Sequence, residues 1–187
     1  MNTRRISLFV LLTFGAVSCA PMAENPIRRA QRADKLTAKI KELYPAVDVR
    51  AASEFATVVV ESSAKRRGEW EVKTAPWLHN TLVNTKFRDR GLCYQWAQYT
   101  YVDVERHLPP TMRMTLIRTV DNGVFNEHHV ISLHGKGDSW SRGILLDGWK
   151  GAGNLVFYPV SDEPDKWEFE SHGPYLQELR WRQTGAR

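Results

Sequence analysis

Gly91-Leu92-Cys93-Tyr94-Gln95-Trp96-Ala97 is the stretch around which the rest of this chain can be arranged. Leu92 and Trp96 are spaced as neighbours on one face of a helix, and Asp89 upstream is a residue type that begins helices. The pattern therefore predicts a helix with Cys93 in its first turn. Unpaired backbone N–H groups at a helix start favour the thiolate, the form in which cysteine acts as a nucleophile.

The first 20 residues have the pattern of an export signal. Arg4 and Arg5 precede an apolar stretch, Ile6–Val17, that is too short to be a typical spanning helix. Ala16-Val17-Ser18-Cys19 resembles a bacterial lipobox, so we expect an exported lipoprotein with lipid on Cys19, anchored to a membrane and facing the periplasm or the cell exterior. Plain secretion and an uncleaved anchor are the alternatives. If Cys19 is lipidated or removed, Cys93 has no partner for an intramolecular disulfide.

Charge and length indicate one domain of ordinary surface character. Without Arg4 and Arg5, the chain carries 24 basic and 21 acidic residues, and so mild a positive balance does not indicate a nucleic-acid partner. We interpret residues 21–26 as a short tether. Residues 27–187 are long enough for a single domain with a sizeable core.

The order of the predicted elements indicates an α+β fold. Apolar periodicity predicts helices over residues 27–44, 47–65 and 76–83, and a fourth from the Cys93 turn to about residue 106. The β-branched run at residues 57–60 leaves a strand open as the alternative there. Strands are predicted over residues 112–120, 128–134, 143–149 and 155–160, with a turn at Asp121-Asn122-Gly123. We therefore expect N-terminal helices and the cysteine helix to pack on a mostly antiparallel sheet.

A nucleophilic cysteine needs an imidazole to take its proton and an acceptor to orient that imidazole. His128 and His129 open the second predicted strand, and Asp147 lies in the third. His129 shares its strand face with Ile131 and the following apolar residues, which should point at the helices. The periodicity favours His129 as the base, with His128 as the alternative.

The stretch from Gly91 to Ala97 resembles the active-site motif of the transglutaminase-like branch of the papain-like cysteine protease superfamily, Gly-x-Cys-aromatic-x-aromatic-Ala. His129-Val130-Ile131 is similar to the histidine strand of that family. Leu146-Asp147-Gly148-Trp149 is similar to its aspartate strand, although Gly148 stands where the family commonly has proline. The resemblance implies a papain-like core and a triad of Cys93, His129 and Asp147.

This resemblance also implies a reaction class. Cysteine enzymes of this kind hydrolyse an amide or transfer its acyl group, here on a peptide, a protein or peptidoglycan, and they use no cofactor. The oxyanion would be bound by the Cys93 N–H and one side-chain donor, for which Trp77, Asn80 and Asn84 are candidates. The alternative from another class is a non-catalytic envelope module that binds peptide or glycan with the same fold.

A zinc site is the third interpretation, because Cys93, His128, His129 and His134 are all possible ligands. Adjacent histidines on a strand point to opposite faces, so His128 and His129 are poor joint ligands. The sequence therefore predicts no metal site.

Overall fold

The computed structural model describes residues 21–119, 127–163, 166–170, 176 and 179–180. Within these ranges, four helices are followed by five strands in one sheet, which confirms the α+β class. The export signal with Cys19, and the turn expected at Asp121-Asn122-Gly123, lie outside the described residues.

The helices come first along the chain: α1 (Pro26–Leu43), α2 (Val49–Glu69), α3 (Pro76–Asn84) and α4 (Cys93–Val104), the last continued by a 3-10 turn at Glu105–His107. The strands follow: β1 (Met112–Thr119), β2 (His129–Gly135), β3 (Ile144–Asp147), β4 (Val156–Pro159) and β5 (Trp167–Phe169). The short strand β5 was not predicted, because three residues carry too little alternation to signal a strand.

Helix α2 settles the one ambiguous segment of the helical half. The Asp48 carboxylate accepts hydrogen bonds from Arg50 N and Ala51 N and so begins the helix. The β-branched run at residues 57–60 continues it, because Val59 and Val60 are buried on the same helical face as Phe55. The strand alternative for this run is therefore wrong, since burial of a helical stripe outweighs the weak strand preference of valine.

The sheet is antiparallel throughout the described strands, in the order β4-β3-β2-β1-β5. On its helix-facing side, Leu116, Ile131 and Leu146 pair across the three central strands and join the main core with α1, α2 and α4. A smaller apolar cluster covers the opposite side and includes Val130 and Leu145. Both faces of the central strands are thus buried, which fixes their register.

The residues interpreted as a tether are bound to the domain. Arg67 donates to the carbonyl of Pro21 at 2.8 Å. The Asn154 side chain donates to the Met22 carbonyl at 2.9 Å and accepts from the Glu24 N–H at 3.1 Å. The chain therefore enters α1 along a fixed path. No helix in the described part of the chain is both long and apolar enough to cross a bilayer.

Candidate active site

Cys93 is the first residue of α4 and is 7% exposed. The expected N-cap at Asp89 is wrong: the residue that precedes the helix is Leu92, in an extended conformation. Gly91 has a φ of +121°, which a helix cannot include, so helical structure begins only after it. This places the thiol at the N-terminal end of α4, where the apolar N-cap residue Leu92 has no side-chain acceptor for the first N–H groups of the helix.

Two other residues of the motif hold this helix start in place. The Gln95 side-chain oxygen accepts from the N–H groups of Gly91 at 2.8 Å and Leu92 at 3.0 Å. The Trp96 indole donates to the Gly91 carbonyl at 3.1 Å. The amide and the indole therefore tie the turn before Cys93 to the first turn of the helix behind it.

His128 lies between Asp147 and Cys93. Its Nε2 is 2.7 Å from Asp147 Oδ2, and the two side chains are 17% and 1% exposed. The other carboxylate oxygen of Asp147 accepts from the Lys150 N–H at 2.9 Å. A carboxylate is an acceptor only, so Nε2 must carry the proton in this contact. In the neutral ring this leaves Nδ1 as the nitrogen that can accept a proton.

The charge state of His128 follows from its neighbours. Burial opposes the charged ring, but hydrogen bonding to Asp147 and to Cys93, with the charges of both groups, outweighs burial and raises the pKa of His128 from 6.5 to about 9. Nδ1 is buried and has no partner of regular hydrogen-bond geometry in the described ranges. The Cys93 thiol donates to the Glu127 carbonyl at 3.6 Å, and because Asp147 binds Nε2, Nδ1 is the nitrogen of His128 left to exchange a proton with Cys93.

His129, the histidine favoured by the strand pattern, does not contact Asp147. Its Nδ1 is 3.0 Å from Glu170 Oε2, and its Nε2 is 3.2 Å from Glu127 Oε1. The expected pairing of His129 with Asp147 is therefore corrected to His128. His129 still lines the cavity in front of Cys93.

The register of β2 against β3 explains why the face argument failed. Ser132 pairs with Leu145, so these two residues share one face of the sheet. Because side chains alternate between the two faces along a strand, His128 lies on the same face as Ser132, and Asp147 on the same face as Leu145. His128 and Asp147 therefore lie on the same side of the sheet. His129 does share the helix-facing side with Ile131, as expected. The error lay in assuming that Asp147 points to that side as well.

Trp149 covers the buried pair. Its ring centroid is 4.9 Å from that of His128, and its indole N–H donates to Asn80 Oδ1 at 2.9 Å. Gly148 lets the backbone between Asp147 and Trp149 pack closely against two other side chains. A Cβ at this position would lie 2.7 Å from the Trp96 ring and 2.8 Å from Ser63 Oγ. Packing against these side chains accounts for glycine at this position.

A cavity of about 560 Å³ opens in front of Cys93. Its walls include the three candidate oxyanion donors, Trp77, Asn80 and Asn84, all carried by α3. Leu92, Tyr94, Glu127, His129 and Trp149 complete much of the lining. The thiol, His129 and a hydrogen-bonding helix face thus meet at one concave site, within the range of volumes that hold small ligands, while His128 and Asp147 are not part of the lining.

The histidines considered as zinc ligands are occupied by other partners. His134 Nδ1 is 3.0 Å from the Gly135 carbonyl, an acceptor, so its Nε2 accepts from the Thr115 hydroxyl at 2.8 Å. In the described part of the chain, no group of three or more His, Cys, Asp or Glu side chains is placed to hold a metal ion.

Comparisons of the chain with protein-family models, with curated proteins and with solved structures find no match.

Proposed function

We propose that this chain is a cysteine-dependent hydrolase or acyl transferase acting on an amide bond, with Cys93 as nucleophile, His128 as base and Asp147 as the group that orients the base. One observation carries the proposal: the largely buried His128 imidazole is bound by Asp147 at 2.7 Å, and Cys93 is among the groups that raise the pKa of that ring. The motif around Cys93 supports placing the chain in the transglutaminase-like branch of the papain-like superfamily.

The reaction follows from where the protons lie. With its pKa raised to about 9, His128 holds the proton of the Cys93 thiol on Nδ1 at neutral pH, and the Cys93 sulfur attacks the carbonyl carbon of the substrate. The C–N bond then breaks while the imidazolium returns its proton to the leaving amine, so a thioester remains on Cys93. Water or a second amine attacks the thioester while His128 removes its proton. The C–S bond then breaks, the acid or the new amide leaves, and the imidazolium returns the proton to the Cys93 sulfur. Asp147 keeps the ring in the tautomer that both proton transfers require.

The oxyanion of the tetrahedral intermediate needs two donors. The Cys93 N–H at the start of α4 is one, because the N-cap residue Leu92 has no side-chain acceptor for it. Asn80 is the best candidate of the three side chains on α3. Its Oδ1 is held by the Trp149 indole at 2.9 Å, so its NH₂ group is left as a donor in the wall of the cavity that Cys93 also lines.

The proposed function includes a location at the cell envelope. The export pattern before Cys19 supports a lipoprotein anchored to a membrane and facing the periplasm or the cell exterior, with peptides, proteins or peptidoglycan as accessible substrates. The cavity accommodates part of such a substrate.

Acylation of Cys93 by an activated ester tests the proposed function. 4-Nitrophenyl acetate should give a burst of nitrophenolate and a protein mass increased by one acetyl group at Cys93, and Cys93→Ala should give neither. Adding methylamine then separates the two reactions: faster loss of the acetyl group with formation of N-methylacetamide indicates acyl transfer, and no effect indicates hydrolysis. A wild-type chain that is acetylated no faster than the same chain unfolded in urea would support the non-catalytic binding module instead.

A further inference from the structure

Helix α3 presents an uncharged face to the cavity in front of Cys93. Trp77, Asn80, Thr81 and Asn84 follow the spacing of one helical face, and all four line the cavity, with Thr85 just beyond the helix. The helix contains no Lys, Arg, Asp or Glu, although 25% of the whole chain is charged. Its only titratable side chain, His79, is buried on the other side.

The groups on this face are available to a ligand. Trp77 is 60% exposed, which is unusual for so large an apolar side chain. The Asn84 amide is exposed and makes no hydrogen bond to the described residues. Thr81 and Thr85 donate their hydroxyl protons to the carbonyls of Trp77 and Thr81, so their oxygens keep lone pairs that face outward.

We infer that the α3 face binds a neutral saccharide, so that the amide attacked by Cys93 belongs to a glycan-bearing peptide. The C–H face of a pyranose ring is apolar and matches an exposed indole, while its rim carries hydroxyl and acetamido groups that pair with amide and hydroxyl side chains. An indole flanked on one rigid helix by an unpaired amide and two hydroxyl acceptors offers this combination. The link to Cys93 rests on the proposed function, whereas saccharide binding itself does not.

The same face suits an extended peptide less well. Peptides in extended conformation are usually held by main-chain hydrogen bonds, which require an open strand edge. The wall here is a helix, whose main-chain groups are used within the helix. Nor does this helix carry a charged side chain that would select a charged residue of a peptide.

Calorimetric titration tests the inference on the full chain in detergent, with N,N′,N″-triacetylchitotriose as the probe. Saturable binding is expected, and Trp77→Ala should weaken it at least about tenfold, while Asn84→Ala should weaken it by a smaller factor. Phe87→Ala is the matched control, since Phe87 is 77% exposed but lies outside this cavity, and it should bind like the wild type.

Three results would overturn the inference: no binding at saccharide concentrations up to about 10 mM, equal binding by Trp77→Ala, or binding of tetra-alanine in place of the saccharide. Circular dichroism checks that Trp77→Ala is folded, and Asn84→Ala gives a second reading that does not depend on that variant. Failure here is separable from failure of the proposed function, because acetylation of Cys93 is measured on the same preparation. A protein that is acetylated but binds no saccharide loses only the α3 assignment.

Discussion

Replacing His128 by alanine is expected to slow acylation of Cys93 by at least about 100-fold, the usual minimum for loss of a positioned base. In the proposed mechanism the imidazole exchanges the thiol proton, and Asp147 holds the ring through a 2.7 Å hydrogen bond. Without it, the thiol proton must be lost to water. The measurement is the burst rate with 4-nitrophenyl acetate at pH 7.

His129→Ala is the matched control for this prediction. It removes the same side chain at the adjacent position, from a ring that lines the cavity but contacts Glu127 and Glu170 rather than Asp147. We expect its burst rate to stay within about threefold of the wild type, since no proton transfer passes through it. The reverse ranking of the two variants would return the role of base to His129. The burst rate of Asp147→Asn should lie between those of His128→Ala and His129→Ala, because the imidazole is still present but its tautomer is no longer fixed by a carboxylate.

Gly91→Ala is expected to destabilise the fold by about 2–5 kcal/mol, the second large effect. Gly91 has a φ of +121°, which strains any residue with a Cβ. The added Cβ would also lie 2.4 Å from Nε2 of His79, a ring that is 1% exposed and is held by the Arg90 carbonyl at 2.8 Å. Because this ring has no space to withdraw, the turn that places Cys93 must shift.

Urea unfolding measures this loss, and Gly137→Ala separates its two causes. Gly137 also has a positive φ, +91°, but nothing lies within 4 Å of a Cβ built there. Its alanine variant should therefore lose only the conformational part, about 1–2 kcal/mol. Equal losses in the two variants would mean that contact with His79 contributes nothing.

The sequence was sufficient to predict the four helices and the position of the Cys93 thiol in the last of them. Apolar periodicity located all four helices, and the motif placed Cys93 in the first turn of the last one. The first residue of this helix was predicted wrongly. Asp89 is a residue type that often caps helices, but the helix start is instead set by Gly91, at positive φ, and by the side chain of Gln95. Preferences for single cap residues carry no information about such contacts with the following turn.

The histidine could not be chosen from alternation within one strand. Alternation gives the side on which each residue of β2 lies, and it placed His129 correctly beside Ile131. Whether Asp147 faces that side depends on the register between β2 and β3, which is set by long-range pairing of Ser132 with Leu145. The one signal available beforehand was that Asp147 alternates with Leu146, an apolar residue suited to the helix side.

The role of His79 was also hidden. The sequence gives no signal for it, because the ring packs against Gly91 and the Arg90 carbonyl, which follow the loop after α3. The α3 face, by contrast, could be seen in the sequence as Trp77, Asn80 and Asn84. Only the fold shows that this face and the thiol border one cavity.

The pH dependence of Cys93 alkylation by iodoacetamide, compared between wild type and His128→Ala, tests most directly whether Cys93 and His128 act as one unit. The pKa of His128 is raised to about 9, so below that pH the ring is positively charged and attracts the negative charge of an attacking sulfur, and above it the ring is neutral. The wild type should therefore react at least about 30-fold faster than the variant at pH 6, and within about threefold of it above pH 10. A rate ratio near one at pH 6, or one that does not change with pH, would contradict the proposed unit.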